Sequence, residues 1–373
     1  MNAEELASYY TRFRVTERVL LTGHSHQAWP DVALVGQREA FDDAAEFVDE
    51  KWERAEAKAE RVRDGFRALL GERRGDIALG ANTHDLVVRF LSALDLKSRP
   101  RLVTTDGEFH SLRRQLARLG EDGIEVVRVA VDPLDTLAER VAHAVDEFSA
   151  AALVSSVLFA SSRIVPGLPW LARECERRGA ELLVDAYHQL GVVPFDLGGL
   201  ESAWVVGGGY KYLQLGEGNC FLRLPPQAQQ MRPVNTGWYA EFDSLAAAAA
   251  GETQYASGGH RFAGATYDPT SHYRAARVFD FFAEHDLTPH VLRGISLHQT
   301  TLLAQRLGLD EPREQFGGFV ALRTPQAAEL RAALRAEDIR TDVRGDVLRL
   351  GPAPYVTDAQ IHHALDVLCA KMT

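Results

Sequence analysis

The sequence predicts an α/β protein, with a large domain built on a mostly parallel sheet and a smaller C-terminal α+β domain. Three observations carry this. From residue 77 to 206, short apolar β-type runs alternate with amphipathic stretches of helical period, which implies crossover connections and a sheet covered on both faces. Polar and glycine-rich clusters directly follow several of these runs, at the strand ends where open α/β sheets place their sites. Beyond a change of character between residues 225 and 290, the pattern becomes strand, helix, strand, helix in a short C-terminal part.

Composition narrows the function classes. The chain has 373 residues, 46% of them hydrophobic, enough for a sizeable core. Its formal net charge of -11 argues against nucleic acid or an anionic membrane as partner. Three widely spaced cysteines, Cys175, Cys220 and Cys369, with no CxxC pair, argue against a disulfide framework and a zinc site, so no metal is expected and a reducing cytoplasm fits best. The first fifteen residues lack an apolar export core, and no run of about 18 apolar residues occurs, so neither export nor a membrane span is expected.

The elements follow in order. An apolar start at Val19 breaks into the loop Thr22-Gly-His-Ser-His26. From Asp31, a plausible N-cap, one helical pattern runs to Leu70, and Trp52, Ala55, Ala59, Val62, Phe66 and Leu69 form a single apolar stripe that Gly71 closes. Residues 77–85 read as a strand passing through a small-residue turn into a helix over 86–94. Further strands are expected at 101–105, 124–131, 151–159 and 180–184, with helices at 111–119, 135–148 and 168–178. After the lysine region, 245–250 is an alanine-rich short helix or mobile loop, 260–269 a polar and glycine loop, and 271–282 and 289–307 are helices. A strand at 317–323, a helix at 326–336, a strand at 341–350 and a last helix at 358–368 complete the small domain.

Three polar clusters carry chemistry. Gly207-Gly-Gly-Tyr-Lys-Tyr212 follows an apolar strand at 203–206, so the glycines admit a bulky group and the Lys211 amine is desolvated, as an imine-forming lysine requires; alternatively it is an ordinary lysine after a turn. Asp185, directly after a buried strand, is either paired structurally or aimed at a ligand, and His188 is a loop histidine or a second ligand contact. The 80–85 turn is an N-cap or, with its free N–H groups and hydroxyls, a phosphate seat. A dinucleotide site is excluded, because the glycine run lacks G-x-G-x-x-G spacing.

In this order, the three clusters resemble the fold-type-I pyridoxal-phosphate-dependent enzymes, class V aminotransferase branch. Within it the chain is most similar to the kynureninase family, through Leu21-Thr-Gly-His-Ser-His26, Tyr210-Lys-Tyr-Leu213, Thr236-Gly-Trp-Tyr239 and Val347-Leu-Arg-Leu-Gly-Pro-Ala-Pro-Tyr355. The resemblance implies the cofactor pyridoxal 5′-phosphate (PLP), with Lys211 as Schiff-base lysine and Asp185 as partner of the pyridinium. It makes Asn82, Thr83 and His84 the phosphate cradle and His188 a cofactor-side contact, with Tyr210 (a catalytic candidate as well), Trp238 and Thr266 adding contacts, the last across a dimer interface. Phe109 would stack on the ring, with His110 as the alternative, and Arg349 would bind the substrate α-carboxylate beside His24 and Ser25. It further implies a homodimer with the site near the interface, an amino-acid substrate, and a division into residues 1–30 at the site entrance, a cofactor-binding domain over 31–260 and a small domain over 261–373.

The chain departs from the family at His24 and Leu158, where asparagines are usual, and in the loop Phe262-Ala-Gly-Ala-Thr266, which lacks one. The expected activity is hydrolytic Cβ–Cγ cleavage, kynurenine giving anthranilate and alanine. A class V aminotransferase or another PLP-dependent lyase is the alternative. Cysteine desulfuration is disfavoured, since Cys220 falls on a strand and Cys175 and Cys369 in helices. A silent relative that only binds PLP or an amino acid is disfavoured by the presence of Lys211, Asp185 and Arg349.

Overall fold

The structure is a computed structural model that describes residues 1–72, 74–247 and 251–372. Its strands are β1 (Val19–Leu20), β2 (Asp76–Gly80), β3 (Arg101–Thr105), β4 (Glu125–Val129), β5 (Ser149–Ser155) and β6 (Glu181–Asp185). They continue with β7 (Trp204–Gly208), β8 (Cys220–Leu224), β9 (Val320–Arg323), β10 (Ile339–Arg340), β11 (Asp342–Arg344) and β12 (Val347–Leu350). Seven form one sheet in the order β2-β8-β7-β6-β5-β3-β4. The four pairings from β7 to β4 are parallel, whereas β8 is antiparallel to both β7 and β2. Strand β2 therefore runs in the same direction as β7, and the C-terminal ends of β2, β3, β5, β6 and β7 share one edge.

Side-chain alternation explains why this sheet is covered twice. Ala78, Leu102, Ala151, Leu183, Trp204 and Leu222 face a core shared with Phe90 and Leu116, while their neighbours Ile77, Val103, Ala152, Leu182, Val205 and Phe221 face a core shared with Phe66 and Val278. On the first face Trp204 meets Phe90 and Phe262, each at 5.1 Å between centroids. On the second, Phe66 lies 4.4 Å from Phe221.

Some elements differ from expectation. The single helix expected over 31–70 is two, Val32–Phe47 and Lys51–Leu70, broken at Val48, whose φ of 51° no helix accommodates. Asp31 makes no cap; its carboxylate accepts from the Thr11 and Arg12 backbone N–H groups and ties down the N-terminal segment. Gly71 does end the second helix, at φ 68°. The helix expected over 135–148 shortens to a 3-10 turn, Leu134–Thr136, and Leu137–Ala144. The alanine-rich run begins within a 3-10 stretch, Trp238–Ala247; residues 248–250 lie outside the described residues.

In the C-terminal part, β9, β12 and β11 form an antiparallel sheet, and the strand expected over 341–350 is a hairpin turning at Gly345 with φ 59°. Strand β1 pairs in parallel with β10, and Thr22 bridges Gly351, so the loop at 22–26 lies against the end of β12. Among the described residues no helix is long and apolar enough to cross a membrane.

Candidate active site

The shared edge of the large sheet opens onto a cavity of about 380 Å³. Asn82, Thr83 and His84 line it from the end of β2, Phe109 from the end of β3, Asp185 and His188 from the end of β6, and Tyr210 and Lys211 from the end of β7. Eight residues from four separate stretches meet because parallel strands deliver their C-terminal loops to one side.

Lys211 is buried, and its Nζ lies 2.7 Å from His188 Nε2, 4.4 Å from the Tyr187 ring centroid and 5.2 Å from that of Phe109. Loss of hydration lowers its pKa to about 7; Asp185 opposes the shift and Arg349 adds to it. An appreciable share of the amine is therefore unprotonated near neutral pH. The same burial, with Lys211 beside it, holds His188 well below the usual imidazole range, and its Nδ1 has no hydrogen-bond partner among the described residues. The three glycines before Lys211 admit the protein's own side chains: a Cβ on Gly208 would stand 2.5 Å from Cys220 Sγ and 2.6 Å from Tyr187 Oη, and one on Gly209 2.4 Å from Leu215.

Asp185 Oδ1 accepts from the Tyr187 backbone N–H at 2.9 Å, and burial raises the carboxyl's pKa, which Lys211 moderates. The Asn82 side chain caps the helix Thr83–Ala93 by accepting from Asp85 N at 2.9 Å. Thr83 and His84, in the first helical turn, line the cavity end. Phe109 rather than His110 lines the cavity; His110 is exposed.

The remaining site candidates stand elsewhere. Arg349 is buried beside the cavity wall, its Nη1 donating to Phe159 O at 2.7 Å and its Nη2 paired with Asp342. His24 is buried with Nε2 3.6 Å from Asp342 Oδ2, stacks on Phe319 at 4.6 Å, and is pushed down to about 4 by burial, so it is neutral. A Cβ on Gly351 would come within 2.2 Å of His24 Nδ1, so only glycine leaves room there. Ser25 pairs with His26, Oγ to Nδ1 at 3.2 Å, and does not line the Lys211 cavity. Trp238 and Thr266 do not reach the Lys211 cavity within this chain. They line a separate cavity of about 650 Å³ with Trp52 and Tyr239, because the 238–247 and 258–267 segments pack on the helix Lys51–Leu70.

Three contributors were not foreseen. Tyr187, inside the Asp-Ala-Tyr-His run, lines the cavity with its hydroxyl 3.8 Å from Cys220 Sγ. Glu108 is buried behind Phe109 and accepts from Thr105 Oγ1 and Ser155 Oγ, each at 2.6 Å. Asp342 links His24, Arg344 and Arg349. Nothing in the sequence reading flagged Glu108 or Asp342.

These residues fit the expected cofactor. The cavity matches the lower range of small-molecule sites, roughly 300 to 1,000 Å³. It holds a helix N-terminus for a phosphate, a carboxylate whose Oδ2 makes no hydrogen bond among the described residues, an orphaned histidine nitrogen and a desolvated amine.

Comparison with known proteins agrees. Residues 290–368 match the kynureninase C-terminal domain. The chain is 26% identical over 397 residues to kynureninase of Pseudomonas fluorescens, covering 98% of this chain and 92% of that one. It is 25% identical over 336 residues, 88% of each chain, to the uncharacterized aminotransferase YcbU of Bacillus subtilis (strain 168). A solved cystine C-S lyase, C-DES, in complex with cysteine persulfide, has TM-score 0.83 at 17% identity, over 95% of this chain and 98% of that one. The apo cysteine desulfurase of Thermococcus onnurineus has TM-score 0.82 at 16% identity, over 99% and 97%. At such identities these two structures bear on the fold, which is that of the fold-type-I PLP-dependent enzymes.

Proposed function

We propose that this chain is a kynureninase-like enzyme of the class V aminotransferase branch, dependent on pyridoxal 5′-phosphate, and that it hydrolyses the Cβ–Cγ bond of a kynurenine-type amino acid to an aromatic acid and alanine. The observation that carries this reading is the placement of Lys211, His188, Asp185 and Phe109 around one cavity, with the carboxylate-binding candidate Arg349 behind Phe159 at its side. Phe109 and Phe159 meet edge to face at 5.4 Å and give an aromatic side chain an apolar wall.

When bound, the cofactor supplies an aldehyde for amines and a protonated pyridine ring that accepts electron density from Cα. The chain's residues supply the rest. Thr83 and His84, at the start of their helix, would hold the phosphate, Asp185 would keep a proton on the ring nitrogen, and Phe109 would cover one ring face. Lys211, mostly neutral above pH about 7, would anchor the cofactor and, when its amine is free, would take the Cα proton on Nζ. His188 orients that amine from 2.7 Å, and Arg349 fixes the substrate by its α-carboxylate.

The aromatic side chains Trp238 and Phe242 are exposed on this chain and lie 5.4 Å apart, centroid to centroid. We read that surface as a homodimer face through which Trp238 and Thr266 complete the partner's cofactor site. We further propose a cytoplasmic location, on the strength of the three widely spaced cysteines with no CxxC pair. Desulfuration is not supported: burial raises Cys220 to about 12 and Cys175 to about 12, leaving both thiols protonated.

A transaminase reading is favoured by the YcbU relative and by apolar Leu158, buried against Gly107 near Phe109. Incubating the PLP-loaded enzyme with kynurenine separates the two. Anthranilate and alanine in equal amounts are expected; conversion to the pyridoxamine form, reversed by a keto acid and with no anthranilate, would replace hydrolysis by transamination. Borohydride reduction followed by peptide mapping should place the cofactor on Lys211.

A further inference from the structure

Beside the Lys211 cavity stands a buried carboxyl that the proposed reaction does not use. Glu108 is 2% exposed and belongs to the turn between β3 and the helix His110–Glu121. Burying a carboxyl is costly unless donors meet it, and among the described residues three do. Thr105 Oγ1 donates to Oε1 at 2.6 Å, Ser155 Oγ to Oε2 at 2.6 Å, and the Ser155 backbone N–H to Oε1 at 3.1 Å. The side chain thus ties the turn after β3 to the last residue of β5.

This tie begins where the backbone ladder stops. The register of β3 on β5 ends at Thr104 and Leu153, and the Ser155 N–H takes the Glu108 carboxyl in place of a β3 carbonyl. On the other side of the turn, Asp106 Oδ1 accepts from Val131 N at 2.8 Å, and within it Gly107 N donates to Thr105 Oγ1 at 3.1 Å. The turn is therefore pinned towards both neighbouring strands. Phe109 comes next, as the residue before the helix, with its ring lining the cavity 5.2 Å from Lys211 Nζ and 5.4 Å from the Phe159 ring. What fixes the backbone of the turn fixes where that ring starts from.

We propose that Glu108 is a positioning residue: its carboxyl clamps the turn after β3 to the end of β5 and so holds Phe109 over the cofactor ring. The inference rests on the reading that Phe109 covers that ring. The clamp works by geometry rather than charge. Burial raises the Glu108 carboxyl to about 7 and the nearby Asp185 adds to the shift, so a negative charge there is disfavoured near neutral pH. Glutamine would keep the tie without the charge, its oxygen accepting from Thr105 Oγ1 and Ser155 N–H while its Nε2 donates to Ser155 Oγ.

The test measures the dissociation constant of PLP from reconstituted enzyme, together with the visible circular dichroism of bound PLP, which reports how the ring is held. Glu108→Ala should weaken PLP by at least about tenfold and diminish the dichroic signal, because the Ser155 N–H is left buried and unpaired and Phe109 is released. Glu108→Gln should stay within about twofold of wild type. In a Phe109→Leu background, Glu108→Ala should cost less than about threefold more, since both changes act on one contact. Ser155→Ala removes one donor and keeps the backbone one; it should weaken PLP several-fold with the same dependence on Phe109, and it carries the test if Glu108→Ala does not fold. Wild-type affinity in Glu108→Ala, or in Ser155→Ala where it stands in, overturns the clamp but leaves the ring contact intact. Equal losses in both backgrounds, or Glu108→Gln as weak as Glu108→Ala, do the same. Phe109→Leu with wild-type affinity and signal overturns the ring contact and the clamp together.

Discussion

The two sides of the candidate active site are built differently. On the cofactor side, every group belongs to a loop that leaves the same edge of one sheet, within a turn of its strand. On the proposed substrate side, Arg349 comes from β12, Asp342 from β11, His24 from the loop after β1 and Phe159 from beyond β5, and the charges of Arg349 and Asp342 already cancel in part. The contrast teaches that the cofactor side is preorganised by the sheet, whereas the substrate side is held by side-chain pairing that a competing carboxylate must enter.

Four measurements can break or sharpen that contrast. The largest effect is expected for Lys211→Ala, a loss of turnover of at least about a thousandfold, the upper part of the range for removing a positioned proton acceptor. The same variant should lose the cofactor fixed by borohydride; retention of covalent cofactor would move the lysine role elsewhere. Asp185→Asn should follow, at roughly a hundredfold in kcat, with PLP still bound through the helix N-terminus. If it instead abolished PLP binding while sparing kcat in the residual holoenzyme, Asp185 would be an anchor and the cofactor side less modular than described.

Arg349→Ala tests the other side. Losing a charge-assisted pair of about 1.5 to 3 kcal/mol should raise KM roughly ten- to a hundredfold. Cofactor absorbance should hardly change, so an equal loss of cofactor would mean that the two sides are one unit. The smallest effect concerns pH. The rate of PLP capture by apoenzyme should rise with pH through about 7, because the unprotonated Lys211 amine attacks. Arg349 is among the cations that lower the lysine, so Arg349→Ala should move that rise to higher pH; a rise that stayed put would show the arginine too well screened to act.

The same contrast explains what was legible in advance. Alternating apolar runs announced β2 to β8, and the residues after them marked the site, since a strand end and its loop are contiguous in the chain. The break at Val48 was not legible, because helical period continues across it and only the positive φ interrupts the helix. Asp31 looked like a cap and instead anchors the Thr11 and Arg12 backbone, a contact that local pattern does not encode. Asp342 went unnoticed for the same reason: an acid in an exposed-looking hairpin acquires meaning only when His24, from the other end of the chain, is folded against it.

From the sequence alone came the α/β class, the glycine-flanked Lys211 after its strand, Asp185 at a strand end and a helix start somewhere in the 80–85 turn, all consequences of period and of neighbours along the chain. Folding decided which aromatic faces the lysine, where Trp238 and Thr266 stand, and which carboxylate holds Arg349. These rest on contacts between segments far apart in sequence, and burial, which sets the charge state of Lys211, His188 and His24, exists only once those segments have packed.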